Sequence, residues 1–553
     1  MGNSRSSGVG LAVAVLAAVT IFALMPAALG GHVVDGADKK VTNDNNNVDG
    51  GTPNPGFDAQ NRQSNETSVA ISPADSDIVV EGANDYRMVT VFGDAWLGFY
   101  VSDDGGSTWF NTMVPGFLSD TSSAGLASPL SGLDGAGDPV VRFDGDGNLY
   151  VGGISFNRSF QSDELPVDTV AFVAKYEYTP GTQGGVSTPN SAANPPNFTY
   201  AFTTIVGEGA VGFGIPDGQP FGFAGLFPDK NWQAVDTYSS SPCEGNVYYT
   251  FTKFTGLAGA FPIVFARSTD GGATFSAPKP VSNKGADGTN ATQGSHIGVA
   301  SDGTVFVSYR TFPTSSDPTV KLQVVRSDDC GLHFGNPVTA ATFIPMPRQA
   351  AGLTFRTPTE TWLAVDDTNP DTVYVTYMSM AGNPANADVF VARSIDGGLT
   401  WGAPAKVNDD TTKKHQFWPT IAVSNGVLHV AWYDFRKSRS PNDPAANNHK
   451  LDVFYASSNT TSAAYPAFSH NERVTDVSHD PNCLMFGGGT VGFHGDYIEL
   501  ASHFDGAHHI VHVAWADNRD VSPCDLDAAP GPDSNNTGNR NQNIYTDTLT
   551  VAP

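Results

Sequence analysis

Basic side chains recur at one place in a repeated pattern. Five to nine residues after an apolar stretch of the type Val-Tyr-Val-x-Tyr begins, a cation follows in six of seven instances: Arg87, Arg158, Lys253, Arg310, Arg436 and Arg519. With 29 Lys plus Arg in 553 residues, about one or two would fall in such windows by chance. A second set gathers where the preceding stretch of each repeat starts: Asp138, Asp229, Lys230, Trp232, Glu360, Trp362, His415, Gln416, Trp418, Asp496 and Tyr497. Carboxylates also flank the arginines, in Asn84-Asp85-Tyr86-Arg87, Tyr433-Asp434-Phe435-Arg436 and Asp517-Asn518-Arg519. A guanidinium clamps a carboxylate through two parallel bonds and an aromatic face stacks on a sugar ring, so the set suits a pocket for an anionic sugar. The same Asp–Arg pairs equally suit ties between neighbouring repeats. Both readings stand at this point.

The elements that must position these residues are short strands. Seven copies of an apolar stretch are visible, at Ser68–Ile71, Pro139–Phe143, Gln233–Asp236, Ile297–Ala300, Leu363–Asp366, Thr420–Val423 and Tyr497–Leu500. Each is followed by a turn and the partner stretch, as in Val305–Tyr309 and Val373–Tyr377, and in many copies by a third strand such as Val389–Arg393. Four antiparallel strands repeated in this way predict an all-β protein, a β-propeller of seven blades with six as the alternative, because a single four-stranded sheet cannot bury both faces. In that topology the starts of first strands and the ends of second strands share one face, here called upper. The turns between third and fourth strands lie on the lower face.

Those lower turns carry the sharpest motif: Ser102-Asp103-Asp104-Gly105-Gly106-Ser107-Thr108-Trp109, Ser268-Thr269-Asp270-Gly271-Gly272-Ala273-Thr274-Phe275 and Ser394-Ile395-Asp396-Gly397-Gly398-Leu399-Thr400-Trp401. Ser327-Asp328-Asp329-Cys330-Gly331-Leu332-His333-Phe334 is a degenerate copy. Asp accepts turn amides, Gly supplies positive φ, and the aromatic packs the hairpin down. The four copies resemble the Asp-box, or BNR repeat, of the sialidase-like (neuraminidase) superfamily, over about residues 61–551. The box is a folding element and says nothing by itself about catalysis.

The resemblance implies a secreted glycosidase or glycan-binding protein, with an exo-α-sialidase as the catalytic form: a Tyr nucleophile paired with a Glu, an Asp acid and arginines on the substrate carboxylate. Tyr497 resembles the nucleophile, Glu360 or Glu499 its partner, and Asp138 or Asp85 the acid. Arg87, Arg310, Arg436 and Arg519 are the expected clamp, and Trp232, Trp362 and Trp418 the expected aromatic contacts. The family's Tyr/Phe-Arg-Ile-Pro string is absent; Tyr86-Arg87-Met88-Val89 is the nearest. A non-catalytic extracellular propeller used for binding, adhesion or scaffolding is the rival reading.

Composition bounds the rest. A net charge of -27 excludes a general affinity for nucleic acid or anionic membrane. Arg5, an apolar run over Leu11–Met25 and a small-residue exit read as a secretory signal over 1–30, with an uncleaved anchor as the alternative. Residues 31–60 read as a disordered leader and 61–553 as the propeller, exported and monomeric, without a membrane span after cleavage. Aromatics at Phe213, Phe221, Phe223 and Phe227 suit a lid or rim over the upper face, with a poorly ordered surface insertion as the alternative reading. Cys243 and Cys330 fall on the lower face, Cys483 and Cys524 on the upper, so the expected disulfides are Cys243–Cys330 and Cys483–Cys524. Asp144-Gly145-Asp146-Gly147-Asn148 reads as a hairpin turn, and neither metal nor cofactor is expected.

Overall fold

The computed structural model describes residues 33–42, 63–86, 95–157, 169–185, 191–209, 226–255, 261–282, 291–350, 352–353, 355–380, 386–438, 450–459, 467–482, 493–521 and 542–553. Seven antiparallel sheets form a seven-bladed propeller. Blade 1 takes Ser64–Ile71, Val79–Asp85, Trp96–Ser102 and Phe110–Met113. Blade 2 takes Gly135–Phe143, Leu149–Phe156, Thr169–Tyr178 and Phe198–Gly209. Blade 3 takes Leu226–Val235, Val247–Thr255, Ile263–Ser268 and Lys279–Pro280. Blade 4 takes Thr292–Val299, Val305–Thr311, Val320–Ser327 and Val338–Phe343. Blade 5 takes Thr361–Val365, Val373–Ser379, Asp388–Ser394 and Ala405–Lys406. Blade 6 takes Gln416–Ser424, Val427–Asp434, Asp452–Asn459 and Glu472–Arg473. Blade 7 takes Glu499–Phe504, His509–Asp517 and Asn543–Val551. Each first strand packs against that of the next blade, and blade 7 returns to blade 1, so the ring closes.

Second strands lie in mid-blade between two neighbouring sheets, and their sequences follow. Every residue of Val427–Asp434 is buried, as is every residue of Leu149–Phe156. Such strands read as unbroken apolar runs, without polar alternation. Outer strands vary, from the short, exposed Lys279–Pro280 to the twelve-residue Phe198–Gly209.

Blade 7 corrects the expected disordered leader. Val33–Val34 and Lys39–Lys40 pair with its third strand, at Val551 and Thr550 and at Thr546 and Tyr545. An open sheet edge presents unpaired N–H and C=O groups, and this N-terminal strap supplies their partners. The signal segment 1–30 lies outside the described residues, as do Phe213, Phe221 and Phe223. Phe227 belongs to the first strand of blade 3 and sits 5.9 Å from Phe156, in the ring wall. No described helix is long and apolar enough to cross a membrane.

The four Ser-x-Asp turns share one hydrogen-bond set. In blade 1, Ser102 Oγ donates to Asp104 Oδ1 and accepts from the Gly106 amide, both at 2.8 Å, while the Thr108 amide and hydroxyl donate to the two Asp104 oxygens at 2.8 and 2.7 Å. Blades 3, 4 and 5 repeat it around Asp270, Asp329 and Asp396, with His333 replacing the threonine in blade 4. The Thr274 hydroxyl and amide hold the Asp270 carboxyl down at about 2.

Blade 4 departs at a second residue. Gly105, Gly271 and Gly397 each adopt φ +66, and Cys330 holds the equivalent place at φ +58. It is bonded to Cys243 in the first turn of blade 3, with Cα atoms 5.7 Å apart, as expected, and staples two lower turns together. Cys483 and Cys524 lie outside the described residues. Removing the staple by Cys243→Ala should cost about 2–4 kcal/mol in denaturant unfolding. In that background Cys330→Gly should recover about 1 kcal/mol relative to Cys330→Ala, because glycine takes positive φ without a Cβ penalty. Equal unfolding midpoints for the two would contradict this.

Candidate functional site

First strands of five blades bulge at the same place. Register slips occur between Asn65 and Ser68, Gly137 and Val140, Asp229 and Trp232, Gln293 and His296, and Phe417 and Thr420. The residue in each bulge has positive φ: Glu66 +56°, Asp138 +56°, Lys230 +48°, Gly294 +68° and Trp418 +48°. A left-handed conformation costs a non-glycine residue about 1–2 kcal/mol. Three of the four that bear this cost are charged, and they converge.

Lys230 is the centre of that convergence. Its ammonium lies 2.6 Å from Asp496 Oδ2, 3.1 Å from Glu66 Oε1 and 3.8 Å from Asp138 Oδ1, and its backbone N–H donates to Asp138 Oδ2 at 2.8 Å. Blades 1, 2 and 3 and the lead-in to blade 7 thus meet on one cation. Asn84 donates to Glu66 Oε2 at 2.8 Å. Arg356, from the segment between blades 4 and 5, grips Asp496 through Nε and Nη2 at 2.7 and 2.5 Å and stacks over Phe493.

The carboxyls divide into two kinds. Burial pushes Glu66 up to about 8 against the pull of Lys230, and it is hydrogen-bonded to Asp138, also raised by burial. Two carboxyls bond only when one is protonated, so this pair holds a proton at neutral pH. Burial opposes the charge of Asp496 too, but Arg356 and Lys230 hold it well below the usual carboxylate range. A protonated acid and an ionised carboxylate therefore share one ammonium.

Beside them Arg310, at the end of the second strand of blade 4, donates to Gln293 at 2.9 Å, and Gln293 donates to Asp229 at 2.8 Å. Arg310 lies 4.0 Å from Glu360, which burial raises to about 7. Glycine at the blade 4 bulge makes room for that acid, since a Cβ on Gly294 would come within 2.6 Å of Glu360 Oε2. Trp232 packs edge to face on both His296 and Trp362, which are tilted on each other, with ring centroids 4.2 to 4.8 Å apart. Tyr497 lies between, 6.4 Å from Trp362, with the Lys230 ammonium 5.1 Å from its ring. Burial and the nearby Glu66 and Asp138 push its phenol well above its usual range.

Of the expected site residues, Tyr497, Asp138, Arg310 and Glu360 are thus brought into one largely buried cluster. The acid that acts most strongly on Tyr497 is Glu66, ahead of Asp138; Glu360 faces Arg310, and Glu499 binds Arg142 at 2.7 Å. Asp85 accepts from the Tyr100 hydroxyl within blade 1. The clamp needs correction. Arg436 is bound to Asp434 and Asp409, each at 2.8 Å, and stacks on Phe454, while Arg519 is bound to Asp517 and Asp38 and stacks on Tyr545. Each aspartate two residues earlier captures its arginine, so neither joins Arg310. Arg87 and Arg158 lie outside the described residues. The tryptophans also differ from exposed platforms: Trp418 is 0% exposed among Phe355, Phe417 and Tyr433, and Trp232 and Trp362 are buried in the wall.

Sequence reasoning missed Glu66 and Arg356. Glu66 had a signal, since it stands just ahead of the recurring apolar stretch, two residues before Ser68, as Asp138 and Lys230 stand one and three residues before theirs. Arg356 had none, because it lies in an irregular segment of no fixed spacing.

No family model and no curated protein matches the chain. Among solved structures it is similar to a Trypanosoma rangeli sialidase in complex with the inhibitor DANA, at 12% identity and a TM-score of 0.40, covering 71% of this chain and 55% of that one. A protein of unknown function from Dyadobacter fermentans is similar at 14% identity and TM-score 0.39, over 94% of this chain and 99% of that one. An α-L-arabinofuranosidase from Fusarium graminearum is similar at 13% identity and TM-score 0.35, over 58% and 92%. The chain thus spans about half of the sialidase. These likenesses concern fold alone.

Replacing Lys230 by methionine leaves buried carboxylates without their cation. It should destabilise the protein by about 3–5 kcal/mol in denaturant unfolding. A loss below about 1 kcal/mol, the worth of an exposed pair, would mean that the cluster is solvated.

Proposed function

We propose that the protein is an extracellular, glycan-directed hydrolase that cleaves a glycosidic bond at the upper mouth of the ring. The observation that carries this reading is the pairing of a protonated Glu66–Asp138 couple with ionised Asp496 around one ammonium. Glycoside cleavage requires both: an acid to protonate the leaving oxygen, and a carboxylate to stabilise the positive sugar ring or attack it. Glu66 takes the first role, with Asp138 sharing its proton, and Asp496 the second. Tyr497 keeps its proton at neutral pH and serves as a hydrogen-bond donor, which departs from the nucleophile expected from the resemblance. Arg348 is exposed and close enough to act on Arg310, and it suits the carboxylate of an acidic sugar such as a sialoside, whereas Arg356 is already committed to Asp496. The Cys243–Cys330 bond supports an oxidising, extracellular setting.

A second reading rests on a different observation. Lys230, Glu66, Asp138 and Asp496 are each at least nine-tenths buried, as befits a tie between blades in a propeller that binds glycans or proteins without cleaving them.

Turnover of a fluorogenic sialoside, with a neutral arabinofuranoside alongside, separates the two. Cleavage is expected to fall as pH rises past about 8, where Glu66 loses its proton, and Glu66→Gln should lower kcat by about 10²–10⁴-fold. Tyr497→Phe should retain most of the rate; abolition there would restore tyrosine as the nucleophile. Absence of turnover on either glycoside, with no change in rate between wild type and Glu66→Gln, would leave the non-catalytic reading.

A further inference from the structure

The ends of the ring meet at blade 7, where the N-terminal strap lies along the strand Asn543–Val551. Gly36 lets it lie flush, since a Cβ there would overlap Asp547 Oδ1 and come within 2.9 Å of the Thr548 carbonyl. The strap sets Asp35 and Asp38 against Asp547 of blade 7 and against Asp476, just beyond the outer strand of blade 6. The Asp38 amide donates to Asp476 Oδ2 at 3.2 Å, and the Asp476 amide donates to Asp38 Oδ2 at 2.9 Å. Glu472 adds a further acidic group nearby.

Little positive charge answers these acids among the described residues. Arg519 reaches Asp38 at 2.6 Å but is shared with Asp517. Arg473 is held by Asp452, and Lys40 by Asp520.

One atom identifies what balances the cluster. Asp547 is 1% exposed, and no described donor reaches its Oδ2. Its Oδ1 accepts from the Thr548 amide at 2.6 Å, and the other group hydrogen-bonded to that carboxyl is the carboxyl of Asp35. Such a bond needs a proton on one partner, and a proton needs no cavity.

We propose that the N-terminal strap is an acid-fastened clasp, held on blade 7 by a proton shared between Asp35 and Asp547 and loosened when that proton leaves. Partial burial and then Asp476 raise Asp35 to about 6, and burial and then Asp35 raise Asp547 to about 8, from the ordinary 3.8 of an aspartate. Both folded values lie above the unfolded ones, so the docked strap binds more protons than the free one. Its stability is fully present near pH 4 and is lost as pH rises through 6 to 8.

Hydrogen–deuterium exchange of residues 33–42 in the full-length protein tests the clasp, with rates corrected for the intrinsic effect of pH. Protection should fall at least about tenfold between pH 5 and pH 8.5, while core strands stay protected. Asp547→Asn carries a permanent donor, so its strap should keep its protection across the range. Should that variant not fold, Asp35→Asn, on the strap itself, makes the same test. Wild-type protection that is flat or rises with pH, or a variant whose profile follows wild type, would overturn the proposal.

Discussion

A lysine inside a closed ring must find negative charge or lose its own. Lys230 is about nine-tenths buried, and its ammonium is neutralised by groups that arrive from three other points of the circle. This condition selects much of the surrounding structure. Blades 1 and 2 must deliver Glu66 and Asp138 inward, which their strands do by bulging into a conformation unfavourable to those residues. Arg356 must offset the surplus negative charge on Asp496. Glu66, left with less cation than its neighbours, retains a proton. The same arrangement that could supply acid catalysis therefore also holds non-adjacent blades in register, and the two roles are chemically inseparable at this position.

The lower face obeys a simpler rule. Each Ser-x-Asp turn satisfies its amides locally, so sequence there fixes structure almost residue by residue. Cys330 marks the one place where the rule yields. A residue ill suited to positive φ is retained there because its sulfur closes a bond to the preceding blade. The two faces differ in kind, with local satisfaction below and long-range charge pairing above.

That contrast explains what the sequence made legible. Seven blades could be counted because second strands are unbroken apolar runs and the lower turns repeat their letters. Tyr497, Asp138, Arg310 and Glu360 could be placed together because strand direction fixes which ends share a face. Arg436 and Arg519 misled because spacing reports where a side chain starts and not which partner it meets; Asp434 and Asp517, two residues upstream, were the clue to their capture. The bulge ring was harder to see. Glu66, Asp138, Lys230, Gly294 and Trp418 share a backbone shape without sharing chemistry, so no common letter announces them. The strap was hidden for another reason, since its pairing partner lies at the far end of the chain.

Pairing of Val33 with Val551 has a practical corollary. Both backbone segments reach that point on the side opposite the Lys230 cluster, where His509 begins its strand. A protein immobilised through its C-terminal residues would accordingly hold its charged cluster away from the support. Surface-coupled assays could then present bulky polymers to it without obstruction from the attachment.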